Sequence, residues 1–307
     1  MKNIQLLLVF LFSAILFSCQ DDDELIPDEL VVSIENLEIG SGNNGKGIIG
    51  RDFHLDMDIE VSTRIDEVQV LISQRADASY AKEWSFQIAW DEYKGLKNTN
   101  VHKHFTIPAD APEGNYDFII RVHDENGDTY EEEHSIELVS GASLPVNPEV
   151  YSLMVNKVDS GYFYILNRGF MNQGETFAKG DMLNSYVDIQ NVKDEGTLYV
   201  LIIKKSANHL PETIENIDFS KVIVADVKEH KGMEEVSFFT NYLGLPDNGA
   251  PQELEIGAET DNNIPSPNSI GADKAWGNGD YYYGVVYTNT THNISTHYYL
   301  EFEVTGF

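Results

Sequence analysis

The sequence predicts an all-β protein, and three observations support this prediction. Apolar and polar residues alternate with a period of two in several short segments, as they do in strands with one buried face. Groups of turn-forming residues separate these segments, for example Pro112–Asn115 and Asp124–Asp128. Tyr (16) and Phe (15) far outnumber Trp (3), and aromatic residues of this kind favour strands. No segment has the pattern of an amphipathic helix.

The first half of the chain contains five predicted strands. The clearest begins at Phe53 and ends at Val61, because five apolar residues there alternate with polar ones. The other four are Val68–Ile72, Val101–Ile107, Tyr116–Val122 and Ile136–Leu138. Short strands separated by regular turn signals indicate a β-sandwich of immunoglobulin type. Tyr116 lies where such sandwiches often have a tyrosine corner.

The second half repeats this plan loosely after a predicted linker at residues 141–149. Residues 177–189 resemble residues 49–59, residues 196–204 resemble the strand at 68–72, and Gly279-Asp280-Tyr281 resembles Gly114-Asn115-Tyr116. We therefore predict two tandem immunoglobulin-like β-sandwich domains, at residues 30–140 and 150–307. The second domain includes a Pro-, Gly- and Asn-rich excursion, Gly244–Trp276. A loop of that length is usually functional or disordered.

The amino terminus predicts a lipoprotein signal peptide at residues 1–18. Ile4–Phe17 is an apolar segment that is too short to span a bilayer and has the length of a signal-peptide core. Leu16-Phe17-Ser18-Cys19 resembles a bacterial lipobox, so Cys19 is the predicted lipid attachment site. The alternative is a plain secretory signal with an incidental cysteine. We expect the lipid on Cys19 to be the membrane attachment.

The residues after Cys19 predict the location of the protein. Gln20–Glu24 resembles the acidic export signal of Bacteroidota lipoproteins, which directs them to the outer face of the outer membrane. Residues 19–29 would then form an acidic tether between the lipid and the fold. We therefore expect a protein anchored in the outer membrane and facing outward.

The charge balance narrows the choice of ligands. The chain has 20 Lys and Arg against 51 Asp and Glu, which gives a net charge of -31. Such a surface repels phosphate backbones and attracts cations, so we expect no nucleic-acid partner. A single cysteine excludes an internal disulfide framework and any metal site with several cysteines.

Three histidines form the one candidate site with defined chemistry. His102 and His104 are two residues apart in a predicted strand, so both point to the face opposite the inward Phe105. By the same parity His54 points outward from its own strand. In an immunoglobulin-type sandwich these two strands are neighbours in one sheet, so the three imidazoles would meet on one surface.

Such a cluster of imidazoles suits a divalent transition metal. Zinc prefers a tetrahedral set of ligands that includes nitrogen at about 2.0–2.1 Å, and copper or nickel also binds imidazole. We therefore predict metal binding, of zinc or copper, by His54, His102 and His104. The alternatives are three exposed histidines on a solvated sheet face, or another ligand. No phosphate-binding loop, nucleophile elbow or HExxH motif accompanies the cluster, so we do not expect an enzyme.

The first domain resembles a known family over residues 37–139. The segment Asn100–Tyr116, which contains a His-rich strand followed by I-P-x-x-A-P-x-G-x-Y, is similar to the signature of a Bacteroidota lipoprotein family with a domain of unknown function, DUF4625. His54 before an apolar strand also matches the family pattern. The family pattern often has further histidines, and this chain has Ser73 and Asp117 at two of those places. The family has no assigned activity, so the resemblance implies fold and location more than function.

These observations predict a lipid-anchored, non-enzymatic surface protein that captures a metal ion or a metal complex, with an outer-membrane transporter as its expected partner. The second candidate is a glycan-binding accessory lipoprotein that uses Trp84, Trp90 and Trp276 as a stacking surface. The third is an adhesion or scaffold module without a small ligand. The sequence gives no indication of the oligomeric state.

Overall fold

A computed structural model describes residues 29–242 and 251–307. The predicted signal peptide, its Cys19 and most of the tether lie outside the described residues. The described chain is all-β, with four short 3-10 helices and no α-helix. None of its helices has the length and apolar character needed to cross a bilayer. The predicted all-β class is confirmed, whereas the immunoglobulin-like assignment of both domains stays a prediction.

The first unit, residues 32–139, contains two sheets packed face to face. One sheet has the order β1-β3-β6 and the other β2-β8-β7-β4-β5. The five predicted strands are confirmed within the following set of eight: β1 (Val32–Ile39), β2 (Lys46–Ile48), β3 (Asp52–Val61), β4 (Ile65–Gln74), β5 (Ser85–Trp90), β6 (Asn98–Thr106), β7 (Gly114–Asp124) and β8 (Thr129–Val139).

The core of the first unit comes from the alternating apolar residues that predicted the strands. Phe53, Leu55, Met57 and Ile59 of β3 are almost completely buried. Burial of each such side chain stabilises the fold by about 1.5–3 kcal/mol. The hydroxyl of buried Tyr116 donates a hydrogen bond to the carbonyl of Pro112 (2.8 Å), which is the arrangement expected of a tyrosine corner.

The second unit, residues 149–305, is built around one long strand. Its main sheet has the order β11-β10-β9-β13-β16-β17-β12, and two further strands also pair with the long one. The strands are β9 (Glu149–Lys157), β10 (Gly161–Ile165), β11 (Gly169–Phe170), β12 (Phe177–Ala178), β13 (Met182–Lys204), β14 (Val222–Thr240), β15 (Leu254–Glu255), β16 (Gly279–Asn289) and β17 (Ile294–Thr305).

The long strand β13 differs from the prediction for the second half. Residues 177–189 and 196–204 were expected to form two separate strands, but one strand covers residues 182–204. Its register with β14 shifts repeatedly between Ile189 and Gly196, where Asn191 and Asp194 have positive φ angles. The chain therefore bends within a continuous strand instead of ending it with a turn.

The segment from residue 251 to Trp276 is ordered by buried polar contacts. Asp261 is 2% exposed and accepts hydrogen bonds from the backbone N–H groups of Asn263 and Asn268. The ammonium group of buried Lys274 lies 3.5 Å from Asp261 and donates a hydrogen bond to the carbonyl of Val222. These contacts fasten the excursion to β14, so its described part is a packed element of the second unit.

Candidate metal centre

The structure brings the three predicted histidines together on the outer face of the first unit. β3 and β6 are antiparallel neighbours, with His54 opposite His104 and Asp56 opposite His102. Leu55 and Phe105 point into the core, so the histidines project from the other face. The three ring centroids lie 5.2, 5.3 and 5.3 Å apart.

The second unit supplies a fourth member of this group, Glu212. One ligand atom from each of His54, His102, His104 and Glu212 lies within 4.8 Å of the other three. Oε1 of Glu212 is hydrogen-bonded to Nδ1 of His54 at 2.8 Å and lies 3.0 Å from Nε2 of His104. We call these four residues the His–Glu cluster.

Burial separates the four members into two pairs. The side chains of His54 and Glu212 are each only 7% exposed, whereas that of His104 is 38% exposed. The alternative of three exposed histidines on a solvated face is therefore wrong for His54, because the second unit covers it. His102 remains exposed. The cluster is thus closed on one side and open to solvent on the other.

Glu212 lies between β13 and β14 and is fixed from both units. The hydroxyl of Ser41, in the first unit, donates a hydrogen bond to its Oε2 at 2.8 Å. The hydroxyl of Tyr299 on β17 donates to the carbonyl of Pro211, and the N–H of Ile214 donates to Thr288 on β16 at 3.1 Å. The carboxylate is therefore held in position although its segment has no regular strand structure.

Two further carboxylates contact the outward nitrogens of the rings. Nδ1 of His104 is hydrogen-bonded to Oδ2 of Asp52 at 2.6 Å, which leaves its Nε2 directed at the cluster. Nε2 of His54 lies 3.5 Å from Oε2 of Glu38, too far for a hydrogen bond, and it is buried without a partner in the described part of the chain. Carboxylates in this position orient histidine ligands and raise their basicity.

The neighbouring charges shift the protonation equilibria of the cluster. Hydrogen bonds with Asp52 and Glu212 raise the pKa of His104 to about 10 against the effect of burial. Burial alone would raise the pKa of Glu212, but its hydrogen bonds with His104 and His54 outweigh burial and lower that pKa. Burial lowers the pKa of His102. The cluster therefore contains an ionised carboxylate, a protonated His104 and a neutral His102 at pH 7.

A cleft leads from solvent to the open side of the cluster. It has a volume of about 440 Å³ and lies between the β3–β6 face and residues 208–216 of the second unit. Glu38 and Asp56 line it together with His102. The cleft is wide enough for a hydrated cation, and its carboxylates attract one.

The other sequence candidates have ordinary structural roles. His123 contacts Thr129 at 2.8 Å and is not part of the cluster. Asp124 accepts hydrogen bonds from the N–H groups of Asn126 and Asp128, so the acidic segment there is a hairpin turn. His292, for which the sequence suggested no partner, contacts Asp194 at 2.8 Å.

The tryptophans expected to form a glycan-stacking surface are used in packing. Trp84 packs edge-on against the buried Tyr116, and Trp90 packs against Phe105. Trp276 packs against the second core and donates a hydrogen bond from its indole to a backbone carbonyl.

Sequence reasoning missed Glu212 and the residues that support the cluster. Glu212 is 158 positions away from His54 in the chain, and no spacing rule connects the two. Asp52 is the exception, because it is two residues before His54 on the same strand face. Strand parity could therefore have identified Asp52 as a neighbour, whereas Ser41 and Glu38 required the structure.

A family model matches the first unit of the chain, and its description gives no activity. Residues 17–139 match a family model described as a domain of unknown function, DUF4625. The resemblance predicted over residues 37–139 is thereby confirmed. The matched span contains all three histidines of the cluster, whereas Glu212 lies beyond it. No curated protein matches the chain.

One solved structure that aligns with the chain is that of Escherichia coli alpha-2-macroglobulin activated by porcine elastase. The identity is 10% and the TM-score is 0.25. The alignment covers 91% of this chain and 22% of that chain, so this chain spans about a fifth of the length of that protein.

Proposed function

We propose that this protein binds a divalent transition metal ion through His54, His102, His104 and Glu212. The proposal rests on one observation: three imidazoles and a carboxylate from distant parts of the chain converge within 4.8 Å. Zinc is the ion that fits this donor set best, because it takes four nitrogen and oxygen ligands in a tetrahedron. Copper is the second choice, since it also favours imidazole.

The spacing of the donors agrees with this proposal. With Zn–N bonds of about 2.0–2.1 Å, three imidazoles arranged tetrahedrally on one ion have ring centres roughly 5 Å apart. The observed centroid distances are 5.2 and 5.3 Å. Donor atoms on a tetrahedral zinc lie roughly 3.3 Å apart, and Glu212 lies 2.8 and 3.0 Å from two ring nitrogens. To admit the ion, these two contacts would lengthen by roughly 0.3–0.5 Å, and donor pairs near the 4.8 Å limit would move closer together.

The surrounding residues would prepare the ligands for the ion. Asp52 holds the Nδ1 proton of His104, so Nε2 can offer its lone pair once the ion has displaced its proton. Ser41 holds one oxygen of Glu212, so the other oxygen faces the rings. With all four positions filled by side chains, the site resembles binding or structural metal sites more than catalytic ones, which keep a position open. We therefore propose a binding protein, not an enzyme.

The predicted lipid anchor indicates where metal binding would take place. A protein attached through Cys19 to the outer membrane and facing outward would meet metal ions or metal complexes before they cross the membrane. The cleft lined by Glu38 and Asp56 would attract such cations, and an outer-membrane transporter is the proposed recipient.

Isothermal titration calorimetry with zinc and with copper tests the metal site. The purified chain, stripped of metal with a chelator, is expected to bind one ion with micromolar affinity or better. The double variant His102→Ala and His104→Ala removes two ligands and should abolish binding. His123→Ala is the matched control, because that histidine lies on the same unit outside the cluster. Unchanged binding by the double variant would exclude this site.

A further inference from the structure

Resting on the proposed metal site, we propose that the bound ion cross-links the two units, so that metal occupancy fixes their relative orientation. Three ligands come from strands β3 and β6 of the first unit, and the fourth comes from the second unit. An ion bound by all four would therefore join the two units through one centre.

Among the described residues, each cluster of buried apolar side chains belongs to one unit alone. One core cluster consists of first-unit residues between Ile39 and Leu138. The other two clusters consist of second-unit residues between Leu153 and Val304. Units joined without a large hydrophobic interface are expected to move relative to each other. Polar contacts between the units therefore contribute to how the second unit sits on the first.

The polar contacts beside the His–Glu cluster are weaker than the cluster itself. Arg51 and Glu149 form an ion pair whose side chains are 33% and 39% exposed, and such pairs contribute little. The amide of Asn216 donates to Glu38 at 3.4 Å, near the limit for a hydrogen bond. The carboxylate of Glu212 is more buried than these groups and lies 2.8 Å from both His54 and Ser41.

Hydrogen bonds on either side of Glu212 would connect the bound ion to the rest of the second unit. Pro211 and Ile214 flank it and are hydrogen-bonded to Tyr299 and Thr288, which belong to β17 and β16. These two strands pair along their whole length and join the main sheet through β13. An ion on Glu212 is thus connected to the central strands of the second unit and not only to a surface loop.

Distance measurements between spin labels on the two units test the cross-link. The labels are attached at Glu133→Cys and Glu303→Cys, two exposed strand positions, in the chain from residue 19 onwards with Cys19→Ser. Double electron–electron resonance gives the distance distribution with chelator and with zinc, and calorimetry on the same samples gives zinc binding. In the labelled chain without further substitutions, zinc should narrow the distribution of distances between the two labels.

Glu212→Gln separates binding from cross-linking. We expect this variant to keep zinc on the three histidines with an affinity roughly 10–100-fold lower, and to lose the narrowing at saturating zinc. Glu215→Gln is the matched control, because it alters an exposed residue in the same segment. It should match the parent in zinc affinity and in the narrowing of the distance distribution.

Each result has a distinct meaning. Zinc that binds without narrowing the distribution would overturn the cross-link and leave the proposed metal site intact. The cross-link would also be overturned if zinc narrowed the distance distribution of Glu212→Gln as much as that of the parent. Glu212 would then not be the residue that connects the two units through the ion. Failure of the parent chain to bind zinc would instead refute the metal site, and the cross-link with it.

Discussion

The histidines and Glu212 are held by the fold in different ways. The histidines project from β3 and β6, two paired strands whose alternation fixes the direction of every side chain. Glu212 lies on an irregular segment, and only hydrogen bonds from side chains such as Ser41 and Tyr299 locate it. Regular structure thus provides most of the site, and a loop from the other unit completes it.

Removal of His54 should have the largest effect on metal binding. His54→Ala deletes a buried ligand and leaves the charge of Glu212 with one partner fewer, so we expect zinc affinity to fall at least 100-fold, about 2.7 kcal/mol or more. Calorimetry measures the change. Asn184→Ala is the control, because Asn184 lies on β13 of the second unit and outside the cluster. An equal loss of zinc affinity in His54→Ala and Asn184→Ala would contradict the assignment of His54 as a metal ligand.

The pH dependence of zinc binding should show the influence of Asp52. Zinc must displace the proton from His104, whose pKa is raised to about 10 by Asp52 and Glu212, so binding should weaken about tenfold for each unit of pH lost between pH 8.5 and 6.5. Asp52→Asn removes the main cause of that raised pKa. The same titration on this variant should therefore give a shallower slope above pH 7, and an unchanged slope would argue against the role of Asp52.

Loss of the Ser41 hydroxyl should produce a smaller effect. Ser41→Ala removes one hydrogen bond to Glu212, worth about 0.5–1.5 kcal/mol, and so should weaken zinc binding about 2–10-fold. Ser143→Ala is a suitable control, since Ser143 lies on another 3-10 helix, where its hydroxyl contacts Ser140 and Glu113 and not the cluster. Comparison of the two by calorimetry shows whether the first unit helps to position the ligand that the second unit provides.

The substitutions expected to affect zinc affinity least are those at the two tyrosine corners. Tyr281 donates a hydrogen bond to the carbonyl of Gly277 (3.1 Å), which parallels the Tyr116–Pro112 bond of the first unit. Tyr116→Phe and Tyr281→Phe should each lower the free energy of unfolding by about 1 kcal/mol without changing zinc affinity. Urea unfolding measures both. A change in metal binding would show that the corners and the cluster are coupled.

The sequence allowed the first unit to be predicted better than the second because its strands are separated by strong turns. The alternation from Phe53 to Val61 and the turn at Asp124–Asp128 correspond to β3 and to the β7–β8 hairpin. In the second unit, the boundary expected between Ile189 and Gly196 is a set of bulges inside β13. Bulges leave the chain extended, so the pattern of residues there does not distinguish one bent strand from two.

The candidate site also has one part that the sequence predicted and another that it did not. Parity and strand pairing were sufficient to place His54 beside His104, because both properties are local to two neighbouring strands. The position of Glu212 depends on how the second unit packs on the first, which no local pattern encodes. The alternative of a solvated histidine face is wrong for His54 for the same reason, because the residues that cover His54 belong to the other unit.

The separation of His54 and Glu212 along the chain has a consequence for biogenesis. On the proposed export route, amino terminus first, the imidazoles would reach the far side of the membrane well before residue 212. Any ion caught early would be bound by nitrogen alone, and its final coordination would await completion of the carboxyl-terminal sheet. Coordination by all four ligands would thereby require that the second unit has folded onto the first.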